Sequence, residues 1–235
     1  MDKAFFIAKK ELASYFKSPV AYIILVLAIS IFNFFFFMII DHNQEASLRD
    51  VFRVMEFIFV FLAPLLTMRV FSEEKLTGTM EFLMTAPVSN TAIVLGKYAG
   101  VLVFFTIMVS LTFVYYGLIE YFGSPDASAT FTGYFGVWLE GAFFIAIGLM
   151  ASSWTRNQIV AAMTSYMIIF FLYFSTNLTK FFEGAAATFF QQISTTNHLE
   201  NLVIGIVTIG DVTYYLSGIL FCVVLTRLSV ENRLS

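Results

Sequence analysis

The residues of this chain best suited to chemistry lie in one polar stretch, Phe71 to Lys97 (FSEEKLTGTMEFLMTAPVSNTAIVLGK). It carries Glu73, Glu74, Lys75 and Glu81 and is punctuated by Gly78 and Pro87. Ser72 is placed to cap a short helix, with Glu73 and Glu74 in its first turn, where the helix dipole favours carboxylates. Gly78 can end that helix in a left-handed conformation. Thr79 can cap a second helix, on which Met80, Leu83 and Met84 share one face at i, i+3 and i+4. Pro87 stops it, and Ser89 or Thr91 starts the next segment. A short helix with an apolar face and acidic flanks is docking chemistry, suited to a groove on another protein. The alternative is an ordinary loop packed on its own bundle.

The other ionisable groups stand apart. Glu140, beside Trp138, falls inside a long apolar run, where a carboxylate costs at least about 2.5 kcal/mol. It must face the interior or be neutral. It is a candidate for a translocation path or a subunit interface, and the competing role is a neutral acid hydrogen-bonded inside the bundle. Glu56 lies one turn after Arg53, which is its expected partner, and its expected role is structural. His198 and Glu200, at i and i+2 without a third ligand, do not make a metal site. Gly96-Lys97 is followed by Tyr98, and Thr91 stands where a phosphate-binding loop needs its first glycine, so this chain does not bind ATP by that motif. No His-Glu-x-x-His and no Gly-x-Ser-x-Gly occurs, which argues against an intramembrane enzyme. Cys222, the single cysteine, reads as a small packed side chain. Neither a cofactor nor a catalytic residue is expected in this chain.

The elements that position these groups belong in lipid. Of 235 residues, 59% are hydrophobic and 12% charged, and mean hydropathy is +0.84. Soluble domains run near 45–50% apolar and 25% charged. With a net charge of −3 and dispersed cations, nucleic acid is not an expected partner. Six stretches are long enough to span a membrane: Val20–Ile40, Val51–Phe71, Ala92–Ile119, Phe131–Ser153, Ile159–Thr176 and Val212–Leu228. They leave no room for a separate soluble domain, so residues 1–235 read as one membrane-spanning unit. Pro64 can kink the second span, and the third is longer than a bilayer requires. Residues 3–18 form an amphipathic helix, with Phe5, Ala8, Leu12 and Phe16 on one face and lysines on another. Such a helix lies in the membrane interface. The apolar run after Ser18-Pro19 is too long for a signal peptide, so the N-terminus is expected to be kept.

Orientation follows from the cations. Lys3, Lys9, Lys10, Lys17, Arg69, Lys75, Lys97, Arg156, Arg227 and Arg233 fall on one side, against Arg49, Arg53 and Lys180 on the other. Both termini and the 72–91 hairpin are therefore expected in the cytosol. The last external stretch, Asn177–Asp211, holds apolar pieces too short to span, which suggests short helices at or dipping into the outer leaflet. Gly96-x-x-x-Gly100 permits close helix contact. The two halves show no internal repeat, which argues against a self-contained secondary transporter.

From Pro64 to Lys97 the chain resembles the ABC-2 family of transporter permeases. The matching residues are Pro64-Leu65-Leu66-Thr67-Met68-Arg69, Glu73-Glu74, Gly78-Thr79-x-Glu81-x-Leu83, Pro87-Val88 and Gly96-Lys97. A second match is GLMASSWTRNQIVA, Gly148 to Ala161, with Ser152-Ser153 and Asn157-Gln158. Ser18-Pro19 after a basic amphipathic helix is a third. The whole is most similar to gliding-motility-type permeases, a group close to those of nitrous-oxide-reductase maturation. His198-x-Glu200-Asn201, Gly205 and Asp211-Val212-x-Tyr214-Tyr215-Leu216 resemble that group too, although its members tend to carry arginine where this chain has Ile204 and Gly210. The resemblance implies an all-α bundle of six transmembrane helices, of the type V exporter kind, in a bacterial inner membrane. It implies a separate ATPase subunit that holds ATP and magnesium and docks on the hairpin, or coupling helix. Glu73, Glu74, Gly78, Thr79, Glu81 and Pro87 are then the coupling residues. It further implies a second permease subunit, as a homodimer or heterodimer, and leaves room for a periplasmic accessory subunit. The substrate would be exported and is lipidic or polymeric. In a non-transporting variant, ATP-driven motion passes to a partner.

Overall fold

In the computed structural model of the protein, which describes residues 2–43, 46–80 and 88–231, six helices are long and apolar enough to cross a membrane. They run Pro19–His42, Arg49–Leu76, Asn90–Tyr121, Ala127–Trp154, Gln158–Phe181 and Ile209–Glu231. Each contains one of the six apolar stretches of the sequence; we number them spans 1 to 6. Ahead of span 1 lies helix α1 (Asp2–Lys17). Pro19, with its preset φ and no N–H to lose, opens α2 (Pro19–Asn43). Span 2 comprises α3 (Arg49–Thr67) and, after a turn, α4 (Ser72–Leu76).

Side-chain caps set several starts. Ser89 Oγ accepts from Ala92 N–H at 3.3 Å to open α5 (Asn90–Leu111). Asp126 accepts from Ser128 and Ala129 N–H at 2.9 and 3.3 Å to open α7 (Ala127–Trp154), which is span 4. Asn157 does the same for α8 (Gln158–Leu178) through Ile159 and Val160. Span 3 differs from the single helix expected over Ala92–Ile119. It breaks at Thr112–Phe113 and continues as α6 (Val114–Phe122). Thr112 Oγ1 turns back to Val109 O at 2.6 Å and Tyr134 donates to Thr112 O at 2.6 Å. Hydroxyls thus occupy carbonyls where the helix is interrupted.

Span 4 is the axis of the bundle. It packs against spans 2, 3, 5 and 6, and 89% of its most apolar window is buried, against 17% for span 1. Hydrophobicity does not separate a buried helix from a lipid-facing one in a membrane; small residues that admit neighbours do. A Cβ at Gly141 would lie 2.1 Å from the Phe105 ring, and one at Gly148 would lie 2.0 Å from Thr67 Oγ1. Spans 2 and 3 therefore close on span 4 to glycine distance.

Between spans 5 and 6 the chain forms a 3-10 turn (Thr179–Phe181), α9 (Ala185–Ile193) and α10 (Thr195–Val203) before α11 (Ile209–Glu231), which is span 6. Short helices were expected there. α10 folds back on span 4 and buries Leu199 and Leu202. Asp211 ties it to span 6 by accepting from Asn201 Nδ2 at 3.1 Å and Thr208 Oγ1 at 2.6 Å, and it pairs with His198 Nδ1 at 2.7 Å. Arg53 does not pair with Glu56 as its spacing suggested. Its guanidinium reaches Asp50 at 2.9 Å and Glu200 at 2.5 Å, where the carboxylates are exposed.

Candidate functional site

The hairpin between spans 2 and 3 is held by groups far away in sequence. α4 is too short to be stable alone, and its amino end needs partners for free N–H groups. Ser72 was the expected cap, but its hydroxyl turns back to Met68 O. The cap comes from span 4 instead. Phe71 and Ser72 N–H both donate to Ser152 Oγ at 3.1 Å, and Ser152 Oγ donates to Met68 O at 3.0 Å. One buried hydroxyl thereby uses both lone pairs and its proton. Next to it, Ser153 O lies in the last turn of span 4, where carbonyls lack helical partners and cations are favoured. It accepts from Lys75 Nζ and from Ser229 Oγ, the latter at 2.9 Å. The end of span 6 therefore sits at the same end of the bundle as the hairpin.

A second anchor is Lys97, whose side chain is 2% exposed. Its ammonium donates to Val70 O at 2.9 Å, Glu74 Oε1 at 2.8 Å and Glu11 Oε2 at 3.3 Å, which uses its three protons. It also sits 5.3 Å from the centre of the Phe71 ring. Lys97 thus joins span 3, the hairpin and α1. The Gly96-x-x-x-Gly100 face of span 3 is what admits α1. A Cβ at Gly96 would stand 2.7 Å from Ala4 O, and one at Gly100 would stand 2.6 Å from Glu11 Cβ. Burial pushes the Glu11 carboxyl above its ordinary value of 4.5; the Lys97 ammonium opposes this and Glu74 adds to it. Burial also pushes the Tyr15 phenol well up, and Tyr15 donates to Leu66 O at 2.6 Å, in the last turn of α3.

α1 is rotated from the single stripe expected. Ala8 and Leu12 face inward with Ile7, Glu11 and Tyr15, but Phe5 and Phe6 are 69% and 67% exposed. The rings point away from the bundle, as suits a helix in a membrane interface.

Of the sequence-derived site residues, Glu73 is exposed and Glu74 is drawn into the Lys97 cluster. Gly78 has φ +72, the left-handed conformation expected of it, with open space around it. Thr79 Oγ1 lies 2.9 Å from Thr77 Oγ1, and the backbone is already helical at Thr79 and Met80. Glu81 and Pro87 lie outside the described residues. Glu140 is not part of this site. It is wholly buried in span 4, with Glu56 and Thr195 as polar neighbours. Among the described residues, neither of its carboxylate oxygens has a hydrogen-bond partner. Sequence reasoning missed Glu11, Lys75, Ser152, Ser153 and Ser229 as anchors. Ser152-Ser153 at the end of an apolar run was the available signal.

No curated protein matches the chain. The family model described as ABC-2 family transporter protein matches residues 5–230, which takes in most of α1, the hairpin and the six spans up to the last residue of span 6. The chain belongs to the ABC-2 family of transporter proteins.

Proposed function

We propose that the chain is the permease subunit of an ATP-binding cassette transporter, and that the α4 hairpin is the coupling element on which a separate ATPase subunit docks. One observation supports this above the rest: the hairpin is fastened at two points to different spans. Ser152 and Ser153 clamp α4 to span 4, and Lys97 clamps it to span 3 and α1. A push on α4 is therefore passed to the bundle's axis rather than absorbed in a loop. Glu73, Leu76, Thr77 and Thr79 remain exposed as a docking edge.

ATP and magnesium belong to the ATPase. Closure of paired ATPases would draw two such bundles between inward- and outward-facing states, with a copy of this chain or a related one as the second bundle. Spans 1, 5 and 6 bury little of their surface, which suits a subunit interface or lipid. The interior is aromatic and poor in charge, which favours a lipidic or polymeric cargo moving outward. The cation asymmetry supports a cytosolic side for both termini and the hairpin, in a bacterial inner membrane. The second reading is a non-transporting machine of the gliding type, in which ATP-driven motion is passed to a periplasmic or membrane partner; the segment His198 to Leu216 supports it.

The test is purification of the tagged chain from its native membrane in gentle detergent, with mass spectrometry of what accompanies it. A companion with a phosphate-binding loop, lost when Glu73 and Glu81 are both changed to alanine, is the expected result. A chain that comes alone, under conditions that preserve a known complex of this type, would overturn the proposal.

A further inference from the structure

Beside the hairpin, α1, the start of span 1 and the end of span 2 enclose a cleft of about 370 Å³, within the range of small-ligand sites. Its two ends differ chemically. Val20, Ala21, Ile24 and Leu65, from spans 1 and 2, make an apolar wall, and Lys10, Arg69, Glu73 and Glu74 line the polar part. An amphiphile with its chains along spans 1 and 2 and its headgroup under the hairpin matches that division.

Two groups in the cleft have chemistry left over. Glu74 Oε1 is taken by Lys97, but its Oε2, shielded from water, has no hydrogen-bond partner among the described residues. A buried acceptor in that state is costly and calls for an N–H or O–H donor. Arg69 is exposed, and its guanidinium has no hydrogen bond or ion pair among the described residues. Its guanidinium fork suits phosphate oxygens, and Lys10 adds a second cation at the same rim. One ligand meets both demands if it carries a phosphate ester and an ammonium with N–H bonds.

We infer that this cleft binds the headgroup of phosphatidylethanolamine from the adjoining leaflet. The phosphate lies on Arg69 and Lys10, and the primary ammonium meets Glu74 Oε2 once the side chain, 21% exposed, turns that oxygen into the cleft. The lipid would sit at the root of the hairpin, so bilayer composition would bear on the hairpin's position. The inference needs only a membrane-embedded bundle, although Glu73, Thr77 and Thr79 of the proposed docking edge line the same cleft, so a docked ATPase would adjoin the lipid.

The experiment is native mass spectrometry of the delipidated full chain, titrated with dioleoyl phosphatidylethanolamine and its mono-, di- and trimethylated forms. Affinity should fall stepwise as N–H donors are lost, to about tenfold for the trimethylated lipid, equivalent to ~1.4 kcal/mol. Glu74→Gln should remove that ranking, and Arg69→Gln should weaken all four lipids alike. Equal binding across the series in the parent chain overturns the inference whether or not the Glu74 variant folds. So does a ranking that survives in folded Glu74→Gln. Soluble glycerophosphoethanolamine competing as well as the lipid would refute a membrane source. Loss of a co-purifying protein in both variants, with lipid binding unchanged, would assign the cleft to that protein.

Discussion

Replacing Lys97 by methionine is the sharpest perturbation of the hairpin anchor. Methionine roughly preserves the stem but removes the charge that compensates two carboxylates. Breaking a buried ion pair by deleting one partner costs about 3–5 kcal/mol, because the remaining charge is left desolvated. Glu11 and Glu74 keep 16% and 21% side-chain exposure, so water can reach them in part and the low end applies, about 3 kcal/mol. A chain of this length loses about 2–4 °C of melting temperature per kcal/mol, so the midpoint should fall by roughly 6–12 °C. Purified protein in one detergent, followed by intrinsic fluorescence on heating, reads this directly. The informative step is the next one. Adding Glu11→Gln and Glu74→Gln to Lys97→Met removes the stranded charges, and replacing a whole buried network often comes close to neutral. The triple variant should therefore recover at least half of the lost midpoint, a coupling that independent sites would not show. If Lys97→Met melts with the parent, or if the added glutamines lower the midpoint further, the three residues do not act as one compensated cluster.

Ser152→Ala strands the Phe71 and Ser72 N–H groups, while Met68 O keeps the Ser72 hydroxyl, and should cost about 1–3 kcal/mol, with faster hydrogen exchange concentrated at Phe71–Leu76. Gly96→Ala places a methyl group against Ala4 O and Ile7 Cβ; overpacking of this kind costs about 1–3 kcal/mol and should raise exchange in α1 while span 4 stays protected. The raised Glu11 carboxyl means its native-state contribution is complete below its ordinary value of 4.5 and is lost as pH rises through the folded value. Glu11→Gln should therefore compare more favourably with the parent at about pH 7 than at about pH 4, and a comparison that runs the other way would contradict the burial argument. Arg53→Ala removes a pair that is half exposed on both sides and should cost under about 1 kcal/mol, a small loss that sets the scale for Lys97.

The apolar helices, the amino-terminal helix, the left-handed Gly78 and the helix start at Ser89 were legible because each depends on a local property: run length, periodicity, backbone freedom or a side chain beside its own backbone. The short helices between spans 5 and 6 were legible for the same reason. The identity of the hairpin's supports was not. Ser72 satisfied every local rule for a cap, yet Ser152, eighty residues later, supplies it. Local propensity cannot anticipate this, because an N-cap is favoured only while no better-placed oxygen competes for the same N–H groups. Span 4 creates that competition. Its glycines bring spans 2 and 3 to backbone distance, and that approach carries a hydroxyl and a free helix end to the root of α4. Lys97 follows the same logic. As a letter it is one cation in a dispersed set, and it becomes a clamp only because Gly96 and Gly100 let α1 bring Glu11 to it. The anchoring of α4 is therefore a consequence of small residues in the spans, and a Gly→Ala change in span 3 should loosen α4 as surely as a change in α4 itself.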